Sequence, residues 1–270
     1  CSGRGPAARL RPMPADRPHY RPGPIGRGFL RLLGLAPVPL VAVLGHAFGW
    51  LAWKLDRRRR HIVRTNLALC FPELNNHARN DLMRRHFLVF GRALLCALAV
   101  GAGSRARLYR TVTVEGRQHY DDALAQGRGV ILYAPHFTAL EVGGLRITAE
   151  RPMLAMYREP RRHLIHWGVH RNRTRFGLEL IEREANMRRV IRRLGEGTPF
   201  YYLPDVDPGT SGSYEFVPFF GIPAATVTAV SRLAKLANAL VIPCVTRETG
   251  LGRYTARLYP PVEGVSGENP

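Results

Sequence analysis

The feature that most constrains the fold is a series of short apolar runs that alternate with stretches of helical periodicity. The run GVILYA at 129–134 contains β-branched and aromatic residues and has no polar face, which is typical of a strand buried on both sides. Further runs of this kind are MLAMYR, LELIE, TPFYYLP and ALVIPCVTRE. Such strands need helices on both faces of their sheet. The sequence therefore predicts an α/β fold, with a mixed sheet flanked by helices.

The stretches between these runs have the spacing of helices. Helical patterns occupy about 66–100, with a break at Pro72, and then 117–127, 161–173, 185–195 and 224–237, and a further helix begins near Thr138. The segment RLYRTVTVEG at 107–116 alternates like a strand. The length of the chain favours one main domain.

The N-terminal region divides into two parts. Residues 1–28 are rich in Pro, Arg and Gly without apolar periodicity, which predicts a flexible basic leader. Residues 29–55 are almost free of charge before Lys54 and are followed by four arginines at 57–60, which predicts a membrane-anchoring helix and favours a cytosolic main domain. Because two prolines and a histidine interrupt the run, an interfacial, re-entrant or core helix is the alternative.

The charge of the chain favours anionic partners. Lys and Arg total 40 and Asp and Glu total 20, which gives a formal charge of +20. Nucleic acid, anionic lipid head groups and an acidic carrier protein all fit this excess. The cysteines at positions 1, 70, 96 and 244 form no CxxC and no disulfide-like pattern. Reduced, buried thiols in a cytosol-facing protein are therefore expected.

The densest chemical signal is the segment APHFTALEVGG at 134–144. The preceding strand delivers His136 to its carboxyl end, the edge at which open α/β sheets bind ligands. Residues five apart on one helix point about 140° away from each other, so His136 must precede the helix and fold back over its first turn to meet Glu141. Glu141 would then hold one imidazole nitrogen, and the other would take a proton from a hydroxyl group. This is a general-base site for acyl transfer.

The same residues also have a purely structural interpretation. Thr138-x-x-Glu141 matches a capping box, in which Glu141 binds a backbone N–H at the start of the helix. His136 is then a turn residue without a chemical role. The two interpretations are compatible, and this short segment does not decide between them.

Several longer stretches occur in the order found in one known family. They are RTNLALCFPEL (64–74), HFTALEVGG (136–144), MYREP (156–160), REANMRRVIRRLGEG (183–197), YLPDVDPG (202–209) and FVPFFGIPAATVTAVSRLAKLANALVIPCV (216–245). In these stretches the chain resembles the late acyltransferases of lipid A biosynthesis, the lauroyl and myristoyl transferase family. These belong to the wider glycerophosphate-type acyltransferases with a His-x4-Asp/Glu motif. The stretches span most of residues 30–260, which makes the resemblance far more specific than the histidine motif alone.

The resemblance implies a complete reaction and a location. It implies a glycerophosphate acyltransferase-like domain over 56–270, with an acyl-acyl carrier protein as the donor. The implied acceptor is a glucosamine-based lipid A precursor or a related anionic glycolipid. The implied location is the bacterial inner membrane, with the catalytic domain facing the cytoplasm.

The resemblance also implies roles for five residues. By motif match, His136 and Glu141 are the expected catalytic pair, and Arg158, Asp205 and Asp207 are expected to bind substrate. Arg158 would lie near the anionic groups of the substrate or near the reacting carbonyl. The segment from Asp205 to Asp207 also fits simple turn chemistry, because a Pro-Gly pair follows it.

Other forms of chemistry are weaker predictions. His163, His166 and His170 fall on one helical face, but no Cys or carboxylate accompanies them, so neither a metal nor a cofactor is predicted. No Ser or Cys is placed with His136 as in a nucleophile elbow, which predicts direct transfer without a covalent acyl-enzyme. Four apolar residues are more typical of a core than of an acyl channel: Phe216, Phe219, Phe220 and Ile222.

Two other functions stay open at this point. One is acyl transfer to a lysophospholipid, a glycolipid or an ornithine-type lipid, although the EGTR-like segment usual in glycerol-phosphate enzymes is not found. The other is a basic nucleic-acid-binding protein, which the charge permits. No helix-turn-helix, zinc-finger or RNA-recognition signature occurs, and the nearly uncharged run at 32–53 fits a membrane better. A nucleic-acid partner is therefore not predicted.

Overall fold

The computed structural model describes residues 23–157, 170–182, 187–205 and 214–265. The helices in these residues are α1 (Pro24–Leu35), α2 (Val38–Leu55), α3 (Arg57–Cys70), α4 (Asn76–Ala102), α5 (Arg105–Thr111), α6 (Arg117–Ala125), α7 (Leu140–Glu150), α8 (Met187–Gly195) and α9 (Ala229–Leu236). Residues 170–174 are also helical.

The strands are β1 (Val112–Glu115), β2 (Gly129–Tyr133), β3 (Met153–Tyr157), β4 (Leu178–Glu182), β5 (Phe200–Tyr202), β6 (Tyr214–Phe219), β7 (Ile222–Val227), β8 (Ala239–Gly250) and β9 (Arg253–Leu258). Seven of them form one sheet in the order β1-β9-β8-β2-β5-β3-β4, and β6 and β7 form a separate hairpin. In the large sheet β2, β3, β4, β5 and β8 run parallel. β1 and β9 run the opposite way, since β9 pairs antiparallel with β8.

The predicted α/β fold with a mixed, helix-flanked sheet is confirmed. The central strand β2 shows why its sequence has no polar face. Val130 and Leu132 pack in an apolar cluster with residues of α4 and α7, whereas Ile131 packs in a second cluster with residues of α8 and α9. Successive side chains of a strand point to opposite faces, so both faces of β2 are covered.

The strand predicted at 107–116 is correct only for its second half. Residues up to Thr111 belong to α5, and β1 begins at Val112. The reason is a helix cap: the Ser104 side chain accepts a hydrogen bond from the N–H of Arg107 at 3.2 Å and stabilises the first turn.

The helix predicted at 224–237 is correct only from Ala229. The preceding residues form β7, which pairs with β6 through a two-residue turn. Phe220 and Gly221 occupy this turn with positive φ values of 52° and 76°. Turns of this kind match the twist of a hairpin, so strand pairing overrides the helical pattern here.

The segment predicted as one anchor helix, 29–55, contains two helices. α1 ends at Leu35 and α2 begins at Val38, and Ala36 between them is extended, with φ −62° and ψ 141°. Pro37 explains the break, because proline disfavours helical backbone at the residue before it and has no N–H to donate. The role of this segment as a membrane anchor stays a prediction.

α2 and α4 meet along a glycine seam formed by Gly45, Gly49 and Gly91. A Cβ added to Gly91 would lie 2.3 Å from the carbonyl oxygen of Gly45, and one added to Gly49 would lie 2.3 Å from that of Phe87. No larger residue fits at these distances without moving the helices apart. The two helices therefore pack backbone to backbone, as small residues allow in helix pairs within membranes.

α2 and α4 are long and apolar enough to cross a membrane, by length and composition. The apolar window of α2 is 22% buried inside the protein, and that of α4 is 44% buried. Helices in the core of a soluble protein pass the same test, so the exposed surface of each helix is the better guide to contact with a membrane. α2 exposes about half of several large side chains, among them Leu40, Leu44, Phe48 and Leu51.

One ion pair joins this helix pair to the sheet. Nη2 of Arg92 on α4 donates to Oε2 of Glu248 on β8 at 2.8 Å, and Nη1 lies 3.1 Å from Nδ1 of His46 on α2. The Arg92 and Glu248 side chains are 19% and 15% exposed. A single guanidinium thus connects α2, α4 and β8.

Candidate active site

Two neighbouring parallel strands end in the same short pattern. β2 continues into Ala-Pro-His136, and β5 continues into Leu-Pro-Asp205. In the ladder between the strands Tyr133 is paired with Tyr202. His136 and Asp205 each follow their paired tyrosine by three residues. The parallel register therefore brings the two side chains together at the carboxyl edge of the sheet.

Asp205 holds His136 through two contacts. Its Oδ1 lies 2.6 Å from Nδ1 of the imidazole, and its Oδ2 accepts a hydrogen bond from the backbone N–H of His136 at 2.6 Å. When Nδ1 donates to the carboxylate, Nε2 is the nitrogen that can accept a proton. The His136 and Asp205 side chains are 45% and 36% exposed, so the ring is accessible. Burial raises the pKa of nearby Tyr133, and the Asp205 carboxylate raises it further, so this phenol stays neutral.

Glu141 has a different partner from the one predicted. Its carboxylate accepts from the guanidinium of Arg173, with Nε to Oε2 at 3.0 Å and a second bond from Nη2 to Oε1. The predicted contact between Glu141 and the imidazole is wrong for this structure, because Asp205 occupies that place. The physical reason is charge: an inward-facing guanidinium needs a carboxylate more than an accessible imidazole does.

Arg173 depends on Glu141 for its charge compensation. Its side chain is 24% exposed. Burial by itself lowers the pKa of the guanidinium, but the Glu141 carboxylate outweighs burial, and the pKa lies above its ordinary value. Within the described chain, Glu141 is the acidic group that binds Arg173. The ion pair ties the first turn of α7 to the helical residues 170–174.

The capping-box alternative for this segment is wrong. α7 begins at Leu140 with Ala139 as its N-cap, and none of the side chains that the structure describes caps the helix. Glu141 lies in the first turn, where a negative charge is favourable next to the positive end of the helix dipole. Its carboxylate is used for the ion pair rather than for a backbone N–H.

Close packing fixes α7 against the sheet. A Cβ added to Gly143 would lie 1.8 Å from Oγ1 of Thr246, and one added to Gly144 would lie 3.2 Å from the ring of Tyr201. The hydroxyl of Tyr201 donates to the carbonyl oxygen of Leu140 at 3.2 Å. Burial raises the pKa of Tyr201 well above its ordinary value, so this donor keeps its proton. The turn that carries His136 therefore lies between β2 and α7, and both of these elements are held by close packing.

Several of the predicted site residues lie outside the described residues. These are Arg158 and Asp207, together with His163 and His166 of the conceivable metal cluster. Their roles stay predictions. In the parts of the chain that the structure describes, no group of three or more His, Cys, Asp or Glu side chains is placed to hold a metal ion.

The four apolar residues predicted as core lie on the β6–β7 hairpin and are exposed. Their exposed fractions are 67% for Phe216, 61% for Phe219, 52% for Phe220 and 37% for Ile222. The core prediction is wrong because β6 and β7 pair with each other and not with the large sheet. Phe220 packs edge-on against Phe71, which follows α3, at a centroid distance of 5.1 Å. The hairpin therefore presents apolar surface beside the helical region.

The sequence did not predict that Asp205 binds His136 or that Arg173 binds Glu141. The equivalent Pro-His and Pro-Asp endings of two apolar strands were a signal for the His136–Asp205 pair, once those strands are known to be neighbours. Arg173 gave no such signal, because it lies in an arginine-rich stretch where each arginine looks like a solvated surface residue.

Comparison with known proteins adds an independent observation. The family described as bacterial lipid A biosynthesis acyltransferase matches residues 16–270. The chain is 33% identical over 239 residues to the lipid A biosynthesis lauroyltransferase of Escherichia coli (strain K12), covering 88% of this chain and 78% of the relative. It is 32% identical over 241 residues to the palmitoleoyltransferase of the same strain, with the same coverage. It is 29% identical over 227 residues to the myristoyltransferase of that strain, covering 83% of this chain and 69% of the relative.

Proposed function

The chain belongs to the bacterial lipid A biosynthesis acyltransferase family and is an acyltransferase of lipid A, and from that membership we propose the reaction of its active site. It transfers a fatty acyl chain from acyl-acyl carrier protein to a hydroxyl group of a lipid A precursor, with His136 as the general base. The observation that carries the proposal is the accessible imidazole of His136, held through Nδ1 by Asp205 at the carboxyl end of β2.

The reaction proceeds through one tetrahedral intermediate. Nε2 of His136 takes the proton from the acceptor hydroxyl while the hydroxyl oxygen attacks the thioester carbonyl carbon. The intermediate collapses by breaking the carbon–sulfur bond, and the imidazolium returns its proton to the leaving thiolate. Asp205 keeps Nδ1 protonated and stabilises the positive charge on the ring while it exists. Direct transfer requires no covalent acyl-enzyme.

The oxyanion of the intermediate needs hydrogen-bond donors in the same place. The positive dipole end of α7 favours an oxyanion there, and the backbone N–H of Glu141 is the candidate donor. The N–H groups of Leu140 and Val142 on either side of it already donate to the carbonyl oxygens of Phe137 and Ala139. Arg158 is the second candidate, which rests on its family position. Glu141 acts as a positioning residue in this scheme: by binding Arg173 it fixes the first turn of α7 beside His136.

The charge and the apolar surface of the chain support the proposed partners. A formal charge of +20 suits an acidic carrier protein and a phosphorylated glycolipid. Exposed leucines and aromatic residues of α1, α2 and the β6–β7 hairpin suit contact with a bilayer. We place the protein at the cytoplasmic face of the bacterial inner membrane, where the donor and the acceptor meet.

The test is acyl transfer from radiolabelled acyl-acyl carrier protein to a tetra-acylated lipid A precursor. His136→Ala is expected to lower the rate by about 10²- to 10⁴-fold, the usual contribution of a general base. The matched control is His77→Ala, an exposed histidine at the start of α4, which is expected to retain full activity. Equal product from the wild type and His136→Ala would reject the mechanism, and an acyl group trapped on the protein would reject direct transfer.

A further inference from the structure

A cationic pocket lies where the first two helices meet the β8–β9 hairpin. It has a volume of about 330 Å³. Its lining includes Arg107, Arg110 and Arg253, together with Leu35 and Leu251, and none of the described residues that line it is acidic. Three guanidinium groups without a carboxylate around one cavity form a site for an anion, because arginines bind phosphate oxygens with paired, charge-assisted hydrogen bonds.

Arg107 carries hydrogen-bonding capacity that the described residues do not use. Its Nη1 donates to the carbonyl oxygen of Gly34 at 2.7 Å, which fixes the side chain. Its Nε and Nη2 are buried without a partner among the described residues. Burial lowers the pKa of Arg107, and the charge of Arg110 adds to the lowering. An anion in the pocket would offset the repulsion between Arg107 and Arg110, because its negative charge would lie beside both guanidinium groups.

The rim of the pocket is apolar and exposed. Leu35 at the end of α1 is 82% exposed, and Leu251 at the tip of the β8–β9 hairpin is 52% exposed. Leu32, one turn before Leu35, is 70% exposed. A soluble anion gains no binding free energy from an apolar rim. A phospholipid does, because its acyl chains cover the rim while its phosphate lies in the pocket. The combination points to an anion that is part of a membrane lipid.

The pocket is separate from the site of His136. β8 is level with Tyr133 at Pro243 and continues to Gly250 before the hairpin turns. Seven further residues of strand place the hairpin tip roughly 20 Å beyond the end of β2. A lipid in the pocket therefore occupies neither the imidazole nor the ion pair of Glu141.

We propose that the pocket formed by Arg107, Arg110 and Arg253 binds the headgroup phosphate of an anionic bilayer lipid, whose acyl chains lie along the exposed leucines of α1. The lipid is bound as a structural ligand and is neither donor nor acceptor. The site does not depend on the proposed role of His136, and a failure of either leaves the other intact.

The test is binding of short-chain phosphatidylglycerol to the full chain in neutral detergent, measured by titration calorimetry. The pocket variant is the double substitution Arg110→Gln with Arg253→Gln, which leaves Arg107 and its bond to Gly34 in place. The control is Arg188→Gln with Arg192→Gln, because both arginines are exposed on α8. Ion pairs of Arg189 and Arg193 with Glu179 hold α8 beside β4, the strand at the opposite edge of the sheet. The control removes the same charge, so it corrects for the basic surface of the whole chain. Thermal unfolding of both variants checks that they are folded.

We expect the pocket variant to bind phosphatidylglycerol at least about 10-fold more weakly than the wild type, and the control to change by less than about 2-fold. Short-chain phosphatidylcholine is expected to bind weakly to all three, because its choline offsets the phosphate charge. Equal weakening in both variants would overturn the proposal. Displacement of the lipid by inorganic phosphate at equal concentration would also overturn it, because the pocket would then select an anion and not a lipid.

Discussion

Replacing Asp205 by Asn keeps the shape of the side chain and removes its charge. The Asn oxygen still accepts from the backbone N–H of His136, so the turn is expected to survive. In wild type Oδ1 lies 2.6 Å from Nδ1. When the imidazole takes a proton, opposite charges therefore face each other at about 4 Å between their centres, which is worth roughly 4 kcal/mol in a protein-like dielectric and roughly 1 kcal/mol in water.

The exposure of the two side chains decides between these limits. At 45% and 36% exposed, the pair lies between the interior and solvent, so about 2 kcal/mol of transition-state stabilisation is expected. A change of about 1.4 kcal/mol is tenfold in rate, so loss of the charge alone is expected to lower kcat roughly 30-fold. Because the Asn oxygen accepts from the N–H of His136, the Asn NH2 group faces Nδ1 and leaves the ring proton on Nε2, so the total loss is expected to exceed about 30-fold. KM is expected to change little, because the charge on the ring is absent from the ground state.

The assay is acyl transfer under saturating donor and acceptor, for Asp205→Asn, for His136→Ala and for the double variant. If Asp205 acts through the imidazole, Asp205→Asn has no further effect once His136 is Ala. Asp121→Asn is the matched control, because Asp121 forms a surface pair with Arg117 at 3.0 Å on α6. A wild-type rate for Asp205→Asn, or an equal loss in the His136→Ala background, would refute the reasoning.

Three further outcomes are expected. Glu141→Gln should leave the charge of Arg173 without a partner and lower the free energy of unfolding by about 2 kcal/mol, which corresponds to a Tm lower by about 4–8 °C. An unchanged Tm would show that the fold does not need the ion pair. Gly91→Ala should cost about 1–3 kcal/mol in the same measurement, because its Cβ would meet the carbonyl oxygen of Gly45, and a neutral result would contradict the close approach of α2 and α4. Burial raises the pKa of Cys244 to about 12, so the thiolate is nearly absent at pH 8. Iodoacetamide should therefore label Cys244 only after denaturation, as read by peptide mass spectrometry. Fast labelling of the folded protein would disprove this.

The fold could be predicted largely from the sequence because the central strands are apolar on both faces. β2 needs cover above and below, and only a helix-flanked sheet supplies it. The sequence-based predictions are wrong where contacts between distant parts of the chain determine the structure. The hairpin around Phe220 looks apolar enough for a core. Among the described strands, however, β6 and β7 pair only with each other, and no local sequence pattern shows which strands pair.

The site could be predicted in part. The position of His136 at a strand end follows from the sequence, since the apolar run stops at Pro135. Its partner could not be chosen by distance along the chain, because Glu141 is five residues away and Asp205 is 69 residues away. The choice depends on β5 lying beside β2 in the sheet, which is a property of topology.

The pairing of β2 with β5 has a consequence for how such an enzyme tolerates change. The three residues that follow each strand set the meeting of histidine and aspartate, so the chain between them can vary in length without moving the pair, provided that α7 and the Glu141–Arg173 ion pair stay in place. A single insertion directly after either tyrosine, by contrast, would separate the two groups at once.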